Sequence, residues 1–76
     1  MHDETRTTPD RDKLAHLIRH WMEHNQGHRE SYLEWRQKLS EDDLPATRAS
    51  LEKVAELTTR MNDVLQQALE ELDPSA

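Results

Sequence analysis

The sequence predicts an all-α protein: an antiparallel two-helix hairpin that dimerises into a four-helix bundle. Three observations predict it. Two long stretches carry apolar residues at the three- and four-residue spacing of a helix. One short acidic turn, Ser40-Glu41-Asp42-Asp43-Leu44-Pro45, separates them. The chain has one glycine, no phenylalanine and few β-branched residues, so no segment reads as a strand.

Residues 1–7 show no period and read as a frayed tail, with His2 a solvated part of it. Thr8-Pro9-Asp10 reads as a helix start: Thr8 caps, Pro9 fits the first helical position, and Asp10 favours the positive end of the dipole. The first helix is expected over about 9–40. Its stripe is Leu14, Leu17, Ile18, Trp21, His28, Tyr32, Trp35 and Leu39, which stays within an arc of roughly 100°. Glu34 and Lys38 are an (i, i+4) pair on the other face. Gly27 is the weak point, costing about 1 kcal/mol relative to Ala. The stripe keeps its phase across it, so one unbroken helix is expected, with Gly27 open to close approach by another helix.

Asp43 is the expected cap of the second helix, with Pro45 in its first turn. This helix is expected over about 44–72, with Asp73-Pro74 as its stop and 74–76 as a tail. Its stripe is Leu51, Val54, Leu57, Thr58, Met61, Val64, Leu65, Ala68, Leu69 and Leu72, close to a heptad seam. Two helices of about 30 residues joined by a short turn make an antiparallel hairpin. Trp35 then lies near Leu51, His28 near Thr58, Asn25 near Met61, and Trp21 near Leu65.

At 76 residues the chain is a single domain. A chain this short buries only about 60% of its unfolded surface and usually needs a staple. Cysteine is absent, which excludes disulfides and thiolate metal sites. A metal, a partner subunit or both remain. Two hairpin stripes cannot cover each other fully, so a homodimer is the simplest closure, and a tetramer of hairpins is the next.

The formal net charge is −6, which disfavours nucleic acid and anionic membrane surfaces as partners. No apolar run approaches a membrane span and no signal peptide opens the chain, so a cytoplasmic location is expected.

Function is sought in the histidines. Four of the five, His16, His20, His24 and His28, recur every four residues in the first helix. Residues four apart are helix neighbours, so each pair can chelate one ion, and imidazole suits zinc, nickel and copper. Each step of four turns by about 40°. His28 is expected at the centre of the seam, His24 at its edge, His20 on the flank and His16 toward solvent. Two copies of His24 and His28 across a two-fold axis supply four nitrogen ligands. Three competing readings stand beside this one. The histidines form a polar register layer, with His28 bonded to Thr58 or a carbonyl. They form a pH switch. Or the chain is an oligomeric adaptor whose exposed faces bind another protein. Met61 is either a soft ligand for Cu(I) or core filler. Trp21 shields the site, Trp35 and Tyr32 pack near the turn, and both tryptophans are alternatively anchors at a subunit interface.

No Glu-x-x-His or His-Glu-x-x-His motif is present, and no nucleophile is placed with a base or a phosphate loop. A buffer, chaperone or sensor is expected rather than an enzyme. The stretch His20-Trp21-Met22-Glu23-His24-Asn25-Gln26-Gly27-His28 resembles a small uncharacterised prokaryotic helical domain associated with nickel and other metal handling. The resemblance covers mainly residues 14–39. It implies His20, His24 and His28 as the matching positions and implies nothing about catalysis.

Overall fold

The computed structural model describes residues 2–39 and 43–72, with side chains from Asp10 onward. It contains two helices, α1 (His2–Lys38) and α2 (Pro45–Leu72), which pack against each other as a hairpin. The Ser40–Asp42 part of the turn and the Asp73-Pro74 stop lie outside the described residues, as do Met1 and the Thr8 side chain expected to cap.

The helix start expected at Thr8-Pro9 is corrected: α1 begins at His2 and Pro9 lies inside it. The lengths differ accordingly, 37 residues against 28, so α1 outruns α2 at the open end of the hairpin. Gly27 does not interrupt α1. A Cβ at that position meets nothing within 4 Å, so no second helix approaches it in the hairpin.

At the closed end, Leu39 N–H donates to the carbonyls of Trp35 and Arg36, a tightened last turn. Arg48 Nε donates to the Leu39 carbonyl at 3.1 Å, placing a cation at the negative end of α1. Leu44 stands at φ 47°, in the left-handed region. Its carbonyl accepts the first bond of α2 from Arg48 N–H, at 3.0 Å. Pro45 takes the first helical position, where a missing N–H costs nothing.

The register matches the expected one. Asn25 Nδ2 lies 3.4 Å from Met61 Sδ and donates to Asn62 Oδ1 at 2.9 Å. Asn62 Nδ2 in turn donates to the Met22 carbonyl at 3.0 Å. Arg29 Nε donates to Thr59 Oγ1 at 2.8 Å, and Arg36 forms an ion pair with Glu52.

The face that α1 turns to α2 differs from the expected stripe. The seam positions of α1 are Ile18, Met22, Asn25, Arg29, Tyr32 and Arg36, a strict alternation of four and three. On α2 the seam is Leu51, Ala55, Thr58, Asn62, Leu65 and Leu69. Among the described residues the buried hydrophobics are Ile18 (4% exposed) and Ala55 (3%). Thr58 is also buried, and its hydroxyl donates back to the Val54 carbonyl at 2.8 Å.

Several large apolar residues stand outside that seam in the open. Leu14, Trp21 and Trp35 are exposed on α1, as are Leu57, Met61 and Val64 on α2. The α1 set lies about 70° round its helix from the seam centre and the α2 set about 110°, in the same sense. Because the helices are antiparallel, the two rotations carry both sets to one side of the hairpin. The Asn25–Met61 contact marks that side. The Arg29–Thr59 and Arg36–Glu52 contacts lie toward the other. The hairpin therefore has one apolar face and one charged face, with a seam of mixed apolar and polar residues between them.

Candidate metal centre

His24 and His28 come together on the apolar face. Their Nε2 atoms are 2.9 Å apart, close enough for one ring nitrogen to donate to the other. The rings meet edge to face with centroids 4.4 Å apart. The ladder continues on both sides. His20 stacks toward His24 at 6.3 Å, and His28 stacks toward Tyr32 at 6.1 Å. His16 lies about 160° from the seam by the helical rotation and is exposed.

The expected order of drift from His28 to His16 holds, but its origin is displaced. His28 was expected at the seam centre and His24 at its edge; both are exposed instead. Asn25 and Arg29 hold the seam at that height. The physical reason lies in α2: Asn62 offers its Oδ1 as acceptor to the Asn25 amide and its Nδ2 as donor to the Met22 carbonyl. His28 does not bond Thr58, whose hydroxyl is used within α2. The hydrogen bonds that tie the helices together at mid-height come from Asn25, Asn62 and Arg29, not from the histidines.

Trp21 is 43% exposed and Trp35 57%, so neither packs inside the hairpin; Tyr32 is half-buried there. Lys38 Nζ lies 4.4 Å over the Trp35 ring, rather than pairing with Glu34. Met61 is exposed at the height of Asn25. Glu30 is exposed and accepts from Gln26 Nε2 at 3.4 Å.

A pair of imidazoles at this spacing is a ready bidentate chelate. Two nitrogens at 2.0–2.1 Å from a tetrahedral ion stand about 3.3 Å apart, and cis ligands of an octahedral ion about 3.0 Å. Small ring rotations reach either separation from 2.9 Å. Among the described residues no group of three or more His, Cys, Asp or Glu is placed to hold an ion. One hairpin thus presents two ligands to an ion, not a closed shell.

Comparison with known proteins places the chain in a family. Residues 14–72, which contain the histidine ladder and both packed helices, match the family described as Domain of unknown function (DUF8180). The chain belongs to that family. The match runs from α1 through to the end of α2. An Archaeoglobus fulgidus relative, described as an uncharacterized protein, is 36% identical over 59 residues, covering 78% of this chain and 94% of that one. No solved structure matches the chain. No helix among the described residues is long and apolar enough to cross a membrane.

Proposed function

We propose that this DUF8180 chain binds a divalent transition metal, zinc, nickel or copper, through His24 and His28. His20 is adjacent to the pair, and His16 lies at the outer end of the ladder. The protein then acts in the cytoplasm as a buffer, chaperone or sensor rather than as an enzyme. The carrying observation is the 2.9 Å approach of the two Nε2 atoms on an apolar face. The pair is not consumed in tying the helices together, since Asn25 and Asn62 do that. A structural zinc site takes four ligands. A second hairpin laid on the apolar face supplies the missing two and closes a four-helix bundle.

The test is calorimetric titration of untagged, metal-stripped protein with zinc, nickel and copper in turn. Roughly one metal per two chains at sub-micromolar affinity is expected, as a shared tetrahedral shell requires. His24→Ala with His28→Ala is expected to abolish that binding. Weak, unsaturable binding by the unaltered chain, or equal binding by the double variant, sinks the reading.

A second reading, an oligomeric adaptor that binds another protein, draws on the exposure of Trp21 and Trp35. It predicts that the double histidine variant in chelator retains every interaction of the unaltered chain.

A further inference from the structure

The apolar stripes on the two helices are each nearly symmetric about their own midpoints. On α1 the midpoint is Gln26. His24 and His28 lie two residues to either side, Trp21 and Tyr32 five and six, and Leu17 and Trp35 nine each. On α2 the midpoint is Met61. Val64 and Leu57 lie three and four residues away, and Val54 and Ala68 seven each. The two midpoints stand at the same height, because Asn25, next to Gln26, touches Met61 across the hairpin.

A surface that reads alike in both directions from one level is complementary to itself under a two-fold rotation. We propose that the occupant of this face is a second copy of the chain, related by a two-fold axis that crosses the helices at the level of Gln26 and Met61. The proposal deepens the metal reading: it rests on its dimer but not on its metal. In this arrangement α1 lies antiparallel on the partner's α1, and α2 on the partner's α2. Leu17 meets the partner's Trp35, Trp21 meets the partner's Tyr32, and the two Met61 side chains meet at the axis. Both His24–His28 pairs converge there, so the four-nitrogen shell is incomplete without the partner.

Three further observations favour this occupant. The hairpin alone buries little, with Ile18 and Ala55 its buried hydrophobics among the described residues, which is marginal for a chain of this size. The strip from Leu14 to Leu39 is about 38 Å long. With the 16 Å width of the hairpin, it offers about 600 Å² per copy, or about 1,200 Å² in all, the lower bound of a specific interface. Every neighbouring pair of helices in the resulting bundle is antiparallel, so the helix dipoles attract.

The alternative two-fold runs parallel to the helices and lays α1 over the partner's α2. It puts the two histidine pairs on a diagonal, each against α2 of the other copy. Distance measurement separates the two arrangements. The chain has no cysteine, so Asp12→Cys, an exposed position pointing away from the apolar face, takes a single spin label. Asp12 is fourteen residues from the axis level. The proposed arrangement therefore separates two labels by about 40 Å along the bundle. The parallel axis leaves them level, under about 30 Å apart across a bundle of 8–10 Å helix spacings. Pulsed dipolar spectroscopy is run at tens of micromolar protein in chelator and again with equimolar zinc, with sedimentation velocity on the same samples. A dimer showing the long distance in both supports the proposal. A monomer in both overturns it, and so does a dimer showing the short distance. The metal reading fails separately: a long-distance dimer with weak zinc binding keeps the interface and discards the site. A short-distance dimer that binds zinc tightly does the reverse.

Discussion

Asn62→Ala tests the joint between the helices. The substitution removes two hydrogen bonds, from Asn25 Nδ2 at 2.9 Å and to the Met22 carbonyl at 3.0 Å. A typical net contribution is about 1 kcal/mol per bond, and a partner left unsatisfied in a half-buried place adds about 1 kcal/mol more. Met22 loses little, because its carbonyl still accepts the helical bond from Gln26. Asn25 loses more, since its only other described partner is the weak acceptor Met61 Sδ at 3.4 Å. The expected cost is about 2–3 kcal/mol, the lower figure if the Met22 bond contributes little, a large fraction of the roughly 4–11 kcal/mol that a domain of this length possesses. Urea unfolding followed by circular dichroism measures it, at one fixed protein concentration because association shifts apparent stability. Asn25→Ala and the double variant complete a cycle whose coupling is expected near 1 kcal/mol. A cost below about 0.5 kcal/mol, or a coupling of zero, refutes the claim that these amides tie the helices together.

Two substitutions should stabilise the chain. Gly27→Ala places a methyl group where nothing lies within 4 Å, inside an unbroken helix, and should gain about 0.5–1 kcal/mol. An unchanged or lowered urea midpoint would show that the position is covered by another chain. Leu44→Gly relieves a side chain held at φ 47° and should gain up to about 1 kcal/mol. A loss would mean that the half-exposed leucine packs usefully at the turn.

The hairpin, its register and the second helix were legible in the sequence because each rests on periodicity and turn chemistry. Pairing Asn25 with Met61 follows from placing the turn at residues 40–45 and counting outward, and the 3.4 Å contact agrees. On α2, Leu51, Thr58, Leu65 and Leu69 fall on the seam as expected, while Leu57, Met61 and Val64 do not. The first helix was misread in direction. Leu14, Trp21 and Trp35 do share a stripe, but periodicity reports which residues share a face and not which neighbour the face meets. Arg29 and Arg36 look like surface residues by composition. Their long stems can cover apolar surface while their guanidinium heads reach Thr59 and Glu52 across the seam. The same error displaced the histidines. Their mutual order follows from a 40° step and holds; their depth depended on the orientation of the helix and does not. The start of α1 escaped because Pro9 is a stronger signal for a first position than for an interior one.

His24 and Asn25 are neighbours in the chain, yet about 100° of helical rotation sends them to different tasks. Asn25 reaches across to Asn62, while His24 joins His28 on the open face. Slippage between two heptad-like seams comes in steps of seven residues, about 10 Å. One such slip would carry the imidazole pair a full heptad from Met61 and leave the paired amides without each other. The amide bonds thus act as a vernier for the imidazoles, set one residue away. An error in alignment is penalised at the same turn of helix where alignment matters, rather than being averaged over the whole length of the hairpin.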